Sequence, residues 1–236
     1  MPEDDAIDVF QKGFRDREAV AKYADEVKRF LPGTEALHRM THVLLAERVP
    51  NAGKILVLGA GGGLELKAMA EAQLNWSFVG VDPAQEMLDM AATNLGPMAA
   101  RAQLVQGYIY DTPAGPFDAA TCLLILHFLD AAERRRTLEQ VRSRLRPGAP
   151  LVAAHASFPQ SPDQRARWLD RHTAYAIAAG ADPTYANAAR TAIEASKNLF
   201  TPEQDADILR AAGFRDVELF FAAFTWCGWV AYNQGE

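Results

Sequence analysis

The chain has 236 residues, 49% of them hydrophobic, and a formal net charge of −6. This length and apolar content suit one sizeable core, and the negative balance argues against broad electrostatic binding to nucleic acid. No apolar run approaches the roughly 20 residues that a membrane span needs, and the two cysteines, Cys122 and Cys227, give neither a disulfide framework nor zinc spacing.

The acidic start Met1-Pro2-Glu3-Asp4-Asp5 lacks the basic and apolar regions of a signal peptide, so a cytoplasmic protein without a metal is expected. Val20, Tyr23, Ala24, Val27 and Phe30 at helical spacing predict a helix over 17–30, broken by Leu31-Pro32-Gly33. Thr34 is placed to cap a second helix that uses Leu37, Met40, Leu44 and Leu45.

Ile55-Leu56-Val57-Leu58 then reads as a buried strand running into Gly59, Gly61, Gly62 and Gly63 around Ala60, with a helix over 64–72 behind them. Glycines there permit positive φ and let a ligand lie against bare backbone, while the helix start offers free N–H donors. A second strand ends in Asp82-Pro83, about twenty residues beyond the glycines. In nucleotide-binding α/β folds an acidic side chain there accepts hydrogen bonds from two ribose hydroxyls. The plainer alternative makes Asp82 a helix N-cap with Pro83 at the first helical position.

Met87, Leu88 and Ala91 mark a helix ending near Asn94-Leu95-Gly96-Pro97, and strands follow at 102–106 and 117–124. Asp130 opens a helix that carries Arg134, Arg135, Arg136, Arg142, Arg144 and Arg146 beside the apolar Leu138, Val141 and Leu145. These arginines read as a solvated face, with a phosphate-binding patch as the alternative. A fifth strand covers 151–154. Residues 156–200 are helical in pattern, and Trp168, His172 and Tyr175 share one helical face that either lines a pocket or packs the insert onto the sheet. Thr201-Pro202-Glu203-Gln204 starts a helix through Ala212. Strands at 217–221 and 224–232 are joined by Ala222-Ala223, a link short enough to force antiparallel pairing. The strand–helix alternation predicts an α/β protein, a parallel sheet with helices on both faces.

A dinucleotide fingerprint needs a sixth-position glycine, where Leu64 stands; the glycines here read G-x-G-x-G. With Val81-Asp82, Pro116-Phe117-Asp118, Leu145-Arg146-Pro147-Gly148-Ala149 and the antiparallel end, the chain resembles the class I S-adenosylmethionine-dependent methyltransferases over roughly residues 50–233. Within them it is similar to the carboxy-S-adenosylmethionine synthase group, associated with tRNA wobble-uridine modification. Phe30-Leu31-Pro32-Gly33, Leu126-His127-Phe128-Leu129 and the run from Phe224 to Ala231 carry that likeness. Thr34 replaces the group's tyrosine, Leu123-Leu124 replace its Asn–Phe pair, and Arg190 is a rough candidate for the arginine that grips an extra carboxylate.

The resemblance implies a Rossmann-like fold with seven strands, mostly parallel, the last antiparallel, and helices on both faces. It implies a single domain over 1–236, with 1–48 as an N-terminal helical lid and 156–200 as a helical insertion over the active site. It also implies S-adenosyl-L-methionine, or S-adenosyl-L-homocysteine, held by Gly59, Ala60, Gly61, Gly63, Asp82, Pro83, Met87, Tyr108, Ile109, Leu123 and Leu124. Tyr108 and Ile109 would stack or pack against adenine, with Asp111 serving its amino group instead. Met87 would close the other adenine face or belong to the core, and Leu123 and Leu124 would give backbone beside the methionine. The superfamily has an acidic residue two places before the first glycine, where this chain has Val57. Glu65 is the substitute, with helix-dipole compensation as the alternative.

Methyl transfer from a sulfonium is an in-line displacement in which the protein supplies alignment, water exclusion and, for some acceptors, a base. His127 and His155, following strands four and five, are the candidate catalytic residues, with hydrogen-bonded structural histidines as the alternative. The expected activity is methylation of a small, partly apolar molecule. Two other readings stay open: carboxy-S-adenosylmethionine synthesis linked to tRNA modification, and cofactor binding without catalysis. A homodimer is allowed; nucleic-acid and membrane partners are not expected.

Overall fold

The computed structural model describes residues 17–235, so residues 1–16 of the expected lid lie outside the described residues. Helices α1 (Arg17–Phe30) and α2 (Thr34–Ala46) lead into β1 (Lys54–Leu58), α3 (Leu64–Ala72), β2 (Ser77–Asp82), α4 (Gln85–Leu95) and β3 (Ala102–Gln106). Then come β4 (Ala119–Leu123), α5 (Ala131–Ser143), β5 (Pro150–Ala156), α6 (Pro162–Ala178) and α7 (Pro183–Ala195). The chain closes with α8 (Pro202–Ala211), β6 (Arg215–Ala223) and β7 (Trp226–Tyr232).

All seven strands join one sheet in the order β3-β2-β1-β4-β5-β7-β6. The first five are parallel, and β7 enters antiparallel between β5 and β6. Strand order reverses between β1 and β4, and in open α/β sheets that reversal opens a crevice at the carboxyl ends of the strands.

Alternation along β1 divides the core. Leu56 and Leu58 pack with Cys122, Leu138, Val141 and Trp229, whereas Ile55 and Val57 pack with Leu37, Leu45, Leu66 and Phe78. Both faces are therefore buried, as a parallel sheet covered by helices requires. Helix α6 packs on α7 and also on α1, tying the insertion to the amino-terminal helices. No helix among the described residues is long and apolar enough to cross a membrane.

Several local expectations shift. The antiparallel hairpin turns at Phe224-Thr225, not at Ala222-Ala223, because Phe224 takes the left-handed conformation (φ 54°) that the tight reversal needs. Strand β5 runs to Ala156 and so includes His155 rather than preceding it. Phe117 falls outside β4 and makes an isolated parallel bridge to Leu145. Thr34 is not a cap acceptor. Gly33, at φ 75°, holds the N-cap position of α2, and the Thr34 hydroxyl donates to the carbonyl of Leu31 at 2.7 Å. The helix expected from Thr201 starts there, and Thr201 forms a capping box with Gln204.

The arginine helix departs most. Arg134 is only 1% exposed and pairs with Asp205 of α8, so neither a solvated face nor a phosphate patch describes it. Arg144 bonds to Gln140 and Thr112, and Arg146 pairs with Asp118.

Candidate active site

The corner between β1 and α3 turns on three left-handed glycines, Gly59 (φ 77°), Gly61 (φ 48°) and Gly63 (φ 75°). The N–H groups of Gly59 and Ala60 donate to the carbonyl of Val81 at 2.9 and 3.0 Å, stitching the corner to β2. A side chain at Gly63 would place its Cβ 2.8 Å from the Ala91 Cα, so α3 starts pressed against α4. Gly61 is different. Its Cβ position meets the Met87 Cε at 3.4 Å, the Tyr23 hydroxyl at 3.5 Å and the Gly59 carbonyl oxygen at 3.7 Å, ordinary contacts that do not press on its backbone.

Asp82 ends β2 facing this corner. One carboxylate oxygen accepts from the Gly61 N–H at 2.9 Å, the other from the Ala84 N–H at 3.0 Å. The N-cap position of α4 falls at Ala84, so Asp82 braces the glycine turn as well as the strand–helix link. Burial pushes its pKa up, against the two backbone hydrogen bonds that favour the charged form.

A narrow cleft opens here. Gly59, Ala60 and Gly62 line one side and Leu123 and Leu124 another; Tyr23 of α1, His38 of α2 and Glu65 of α3 close it. Leu124 holds φ 63°, and its N–H donates to the Ala154 carbonyl at 2.6 Å, which aims backbone from the end of β4 at the cleft. Glu65 is 7% exposed and accepts a hydrogen bond from the Thr121 hydroxyl at 2.5 Å. Burial raises its pKa to about 8 despite that bond. Burial, then the nearby Glu65 and Asp82 charges, push the Tyr23 phenol up. Burial drives His38 down to about 4, so its ring is neutral at neutral pH.

Neither Tyr23 nor His38 was legible as a site residue. Tyr23 sits in an apolar helical stripe and His38 beside the buried Leu37; only the docking of α1 and α2 brings them to the glycines.

On the other side of Asp82, Met87 is buried against Ala84, Tyr23 and Met90. Pro83 is exposed. Tyr108 is 60% exposed at the rim, but Ile109 is 2% exposed inside the sheet core, so its side chain faces away from the crevice. The Asp111 carboxylate accepts from the Tyr108 N–H at 2.8 Å and caps its own turn.

The two candidate histidines have different surroundings. His127 follows β4 in the short turn Leu126–Phe128, its ring edge-on to Trp226 at 5.5 Å, with a buried Nδ1 that has no hydrogen-bond partner. Burial, then His155 and Arg134, bring its pKa to about 3. His155 is 1% exposed, with Nε2 3.2 Å from the Asp205 carboxylate that Arg134 also holds. It is enclosed, away from the cleft-lining residues.

The Trp168–His172–Tyr175 face packs. His172 Nε2 lies 2.7 Å from the Phe30 carbonyl, to which the Trp226 indole also donates at 3.1 Å, and Tyr175 meets Phe224. Arg190 is tied at the surface to Asp170 (2.9 Å) and Glu194 (2.7 Å).

This donor set fits a nucleoside with an amino-acid tail. Bare backbone lies at Gly61, one carboxylate stands at the end of β2, a second is buried within the cleft, and the described residues lining the cleft include no lysine or arginine.

Residues 55–148 match the family model described as Methyltransferase domain. The chain is 25% identical over 226 residues to the carboxy-S-adenosyl-L-methionine synthase of Chromohalobacter salexigens, covering 93% of this chain and 83% of that protein. Among solved structures it resembles a putative O-methyltransferase from Nostoc punctiforme (TM-score 0.62, 21% identity, 85% of this chain). It also resembles human N-acetylserotonin methyltransferase solved with S-adenosylmethionine (TM-score 0.58, 16% identity, 91% of this chain). The chain spans 56% and 58% of those two structures. The sheet is thus the class I S-adenosylmethionine-dependent methyltransferase fold.

Proposed function

We propose that this chain, which carries a methyltransferase domain over residues 55–148, is an S-adenosylmethionine-dependent methyltransferase acting on a small, partly apolar acceptor. The carrying observation is the meeting of the left-handed glycines with the Asp82 carboxylate at the strand-order reversal. The cofactor, when bound, supplies an activated methyl group. Asp82 accepts from the ribose hydroxyls, and the backbone of Gly59, Ala60 and Gly61 lies along the sugar and tail. Leu123 and Leu124 present main chain beside the tail, Met87 and Tyr108 flank the base, and Ile109 contributes main chain only.

His127 is the catalytic candidate that suits an acceptor: its neutral ring is half-buried beside Trp226 near the end of β4. With its pKa brought down to about 3 the ring is a weak base, so its role is to orient an acceptor hydroxyl by a hydrogen bond rather than to take its proton. His155 we assign to holding α8 against β5. Helices α1 and α2 close the cleft, and α6 packs behind α1. A second reading, carboxy-S-adenosylmethionine synthesis, rests on the Chromohalobacter relative. The surface pairing of Arg190 with Asp170 and Glu194 favours the plain cofactor instead.

Calorimetry with S-adenosylmethionine and NAD, plus mass spectrometry of copurified ligand, tests the proposal. Binding of the first with a plain, uncarboxylated ligand is expected. Preference for NAD sinks the reading, and a carboxylated ligand moves it to the synthase.

A further inference from the structure

We propose that Glu65 receives the ammonium of the cofactor's amino-acid tail, doing from the first turn of α3 what an acid at position 57 would do from β1. The inference rests on the cofactor assignment above and names a residue role within it. The sheet register carries it. Val57 stands beside Thr121 of β4, and registered neighbours on parallel strands send their side chains to the same face. The Thr121 hydroxyl donates to Glu65 at 2.5 Å. The Glu65 carboxyl therefore occupies the place that a carboxylate at position 57 would reach, and it does so on the wall of the cleft.

The described residues give this carboxyl no cationic partner. Its one hydrogen bond among the described residues is from a neutral hydroxyl, and a buried, poorly compensated carboxyl is a feature of ligand sites rather than of cores. The described titratable groups around it are Tyr23 on α1, His38 on α2, Asp82 at the end of β2 and Cys122 on β4. Burial leaves His38 neutral, and it raises both the Tyr23 phenol and the Cys122 thiol, so none of them supplies a cation. An ammonium brought by the ligand supplies it. Binding then converts a carboxyl that burial holds protonated into a carboxylate, releasing a proton.

Glu65→Gln keeps an acceptor for Thr121 and removes the charge. The test uses calorimetry near pH 7 with two probes, S-adenosylhomocysteine, which has the tail, and 5′-methylthioadenosine, which lacks it. The wild type is expected to bind S-adenosylhomocysteine with a heat that changes with the ionisation enthalpy of the buffer. The variant should bind it about 10- to 100-fold more weakly, the range for a lost charge-assisted contact, without that buffer dependence. Both proteins should bind 5′-methylthioadenosine alike, which also shows that the variant is folded. Adding Val57→Asp to Glu65→Gln should restore part of the loss. Equal S-adenosylhomocysteine affinity in wild type and variant, or the same loss with both probes, overturns the inference while leaving the cofactor assignment intact. A wild type that binds neither probe overturns both.

Discussion

Two buried carboxyl groups in this molecule, Asp205 and Glu65, have opposite electrostatic settings. Asp205 on α8 meets Arg134 and His155 in a dry cluster, and Arg134 reaches on to the carbonyl of Asn198 at 2.8 Å. Burial works to raise the Asp205 pKa, but its two basic neighbours outweigh it and hold the group below the ordinary carboxylate range. Glu65 has a hydroxyl for company, and its pKa rises. The first carries its own counter-charge and fastens α5, α8 and β5 together, although Arg134 Nε, His155 Nδ1 and Asp205 Oδ2 are left without hydrogen-bond partners among the described residues. The second is incomplete without a cation, which is how a binding site differs from a structural tie.

Breaking the charge-paired cluster should have the largest effect. Arg134→Met strands a buried carboxylate, and urea unfolding should show a loss of about 3–5 kcal/mol. Replacing Asp205 with Leu as well should recover part of it; a small loss in the single variant would mean that the cluster is not a tie.

The pH dependence of stability separates the two carboxyls next. A carboxyl whose pKa rises on folding binds more protons folded than unfolded, so its stabilisation is present below about 4.5 and disappears as pH rises through about 8. Asp205 runs the other way, stabilising above its ordinary pKa and failing as pH falls below it. Cofactor-free Glu65→Gln should therefore be more stable than wild type by roughly 4 kcal/mol at pH 8, and about equal at pH 4.5. Thermal melts across that window check it, and parallel pH profiles would show that Glu65 is not the titrating group. A variant that melts higher yet binds worse would mark a site maintained at the expense of stability.

Asp82 stands between the two, with both oxygens on backbone N–H groups. Asp82→Ala should weaken S-adenosylmethionine binding by roughly 1–3 kcal/mol, and unchanged affinity in calorimetry would remove its ribose role. The smallest effect belongs to Arg190→Ala. Its partners are surface carboxylates, so stability should move by less than about 0.5 kcal/mol and cofactor affinity not at all. A drop in affinity would reopen the carboxylated-cofactor reading.

Much of the architecture was readable from local pattern. The glycine corner, Asp82, the parallel order and the antiparallel end each depend on turn chemistry or short-range spacing, which a sequence displays directly. What escaped depends on docking. Tyr23 and His38 reach the cleft because α1 and α2 pack over the sheet. At Arg134 charge masks periodicity: it lies four and seven residues before Leu138 and Val141, on their buried stripe. At His155 the apolar pattern of 151–154 ends early, whereas β5 runs two residues further and places the ring inside the sheet.

The position of Tyr23 has a kinetic consequence. Its ring carbons stand 3.1 and 3.4 Å from the Cβ position of Gly62, and its hydroxyl 3.5 Å from that of Gly61. A nucleoside lying along the glycines shares its space with that ring, so Tyr23 governs how closely the cofactor is held. Trimming Tyr23 to alanine should then speed release of the demethylated product, which stopped-flow displacement measures.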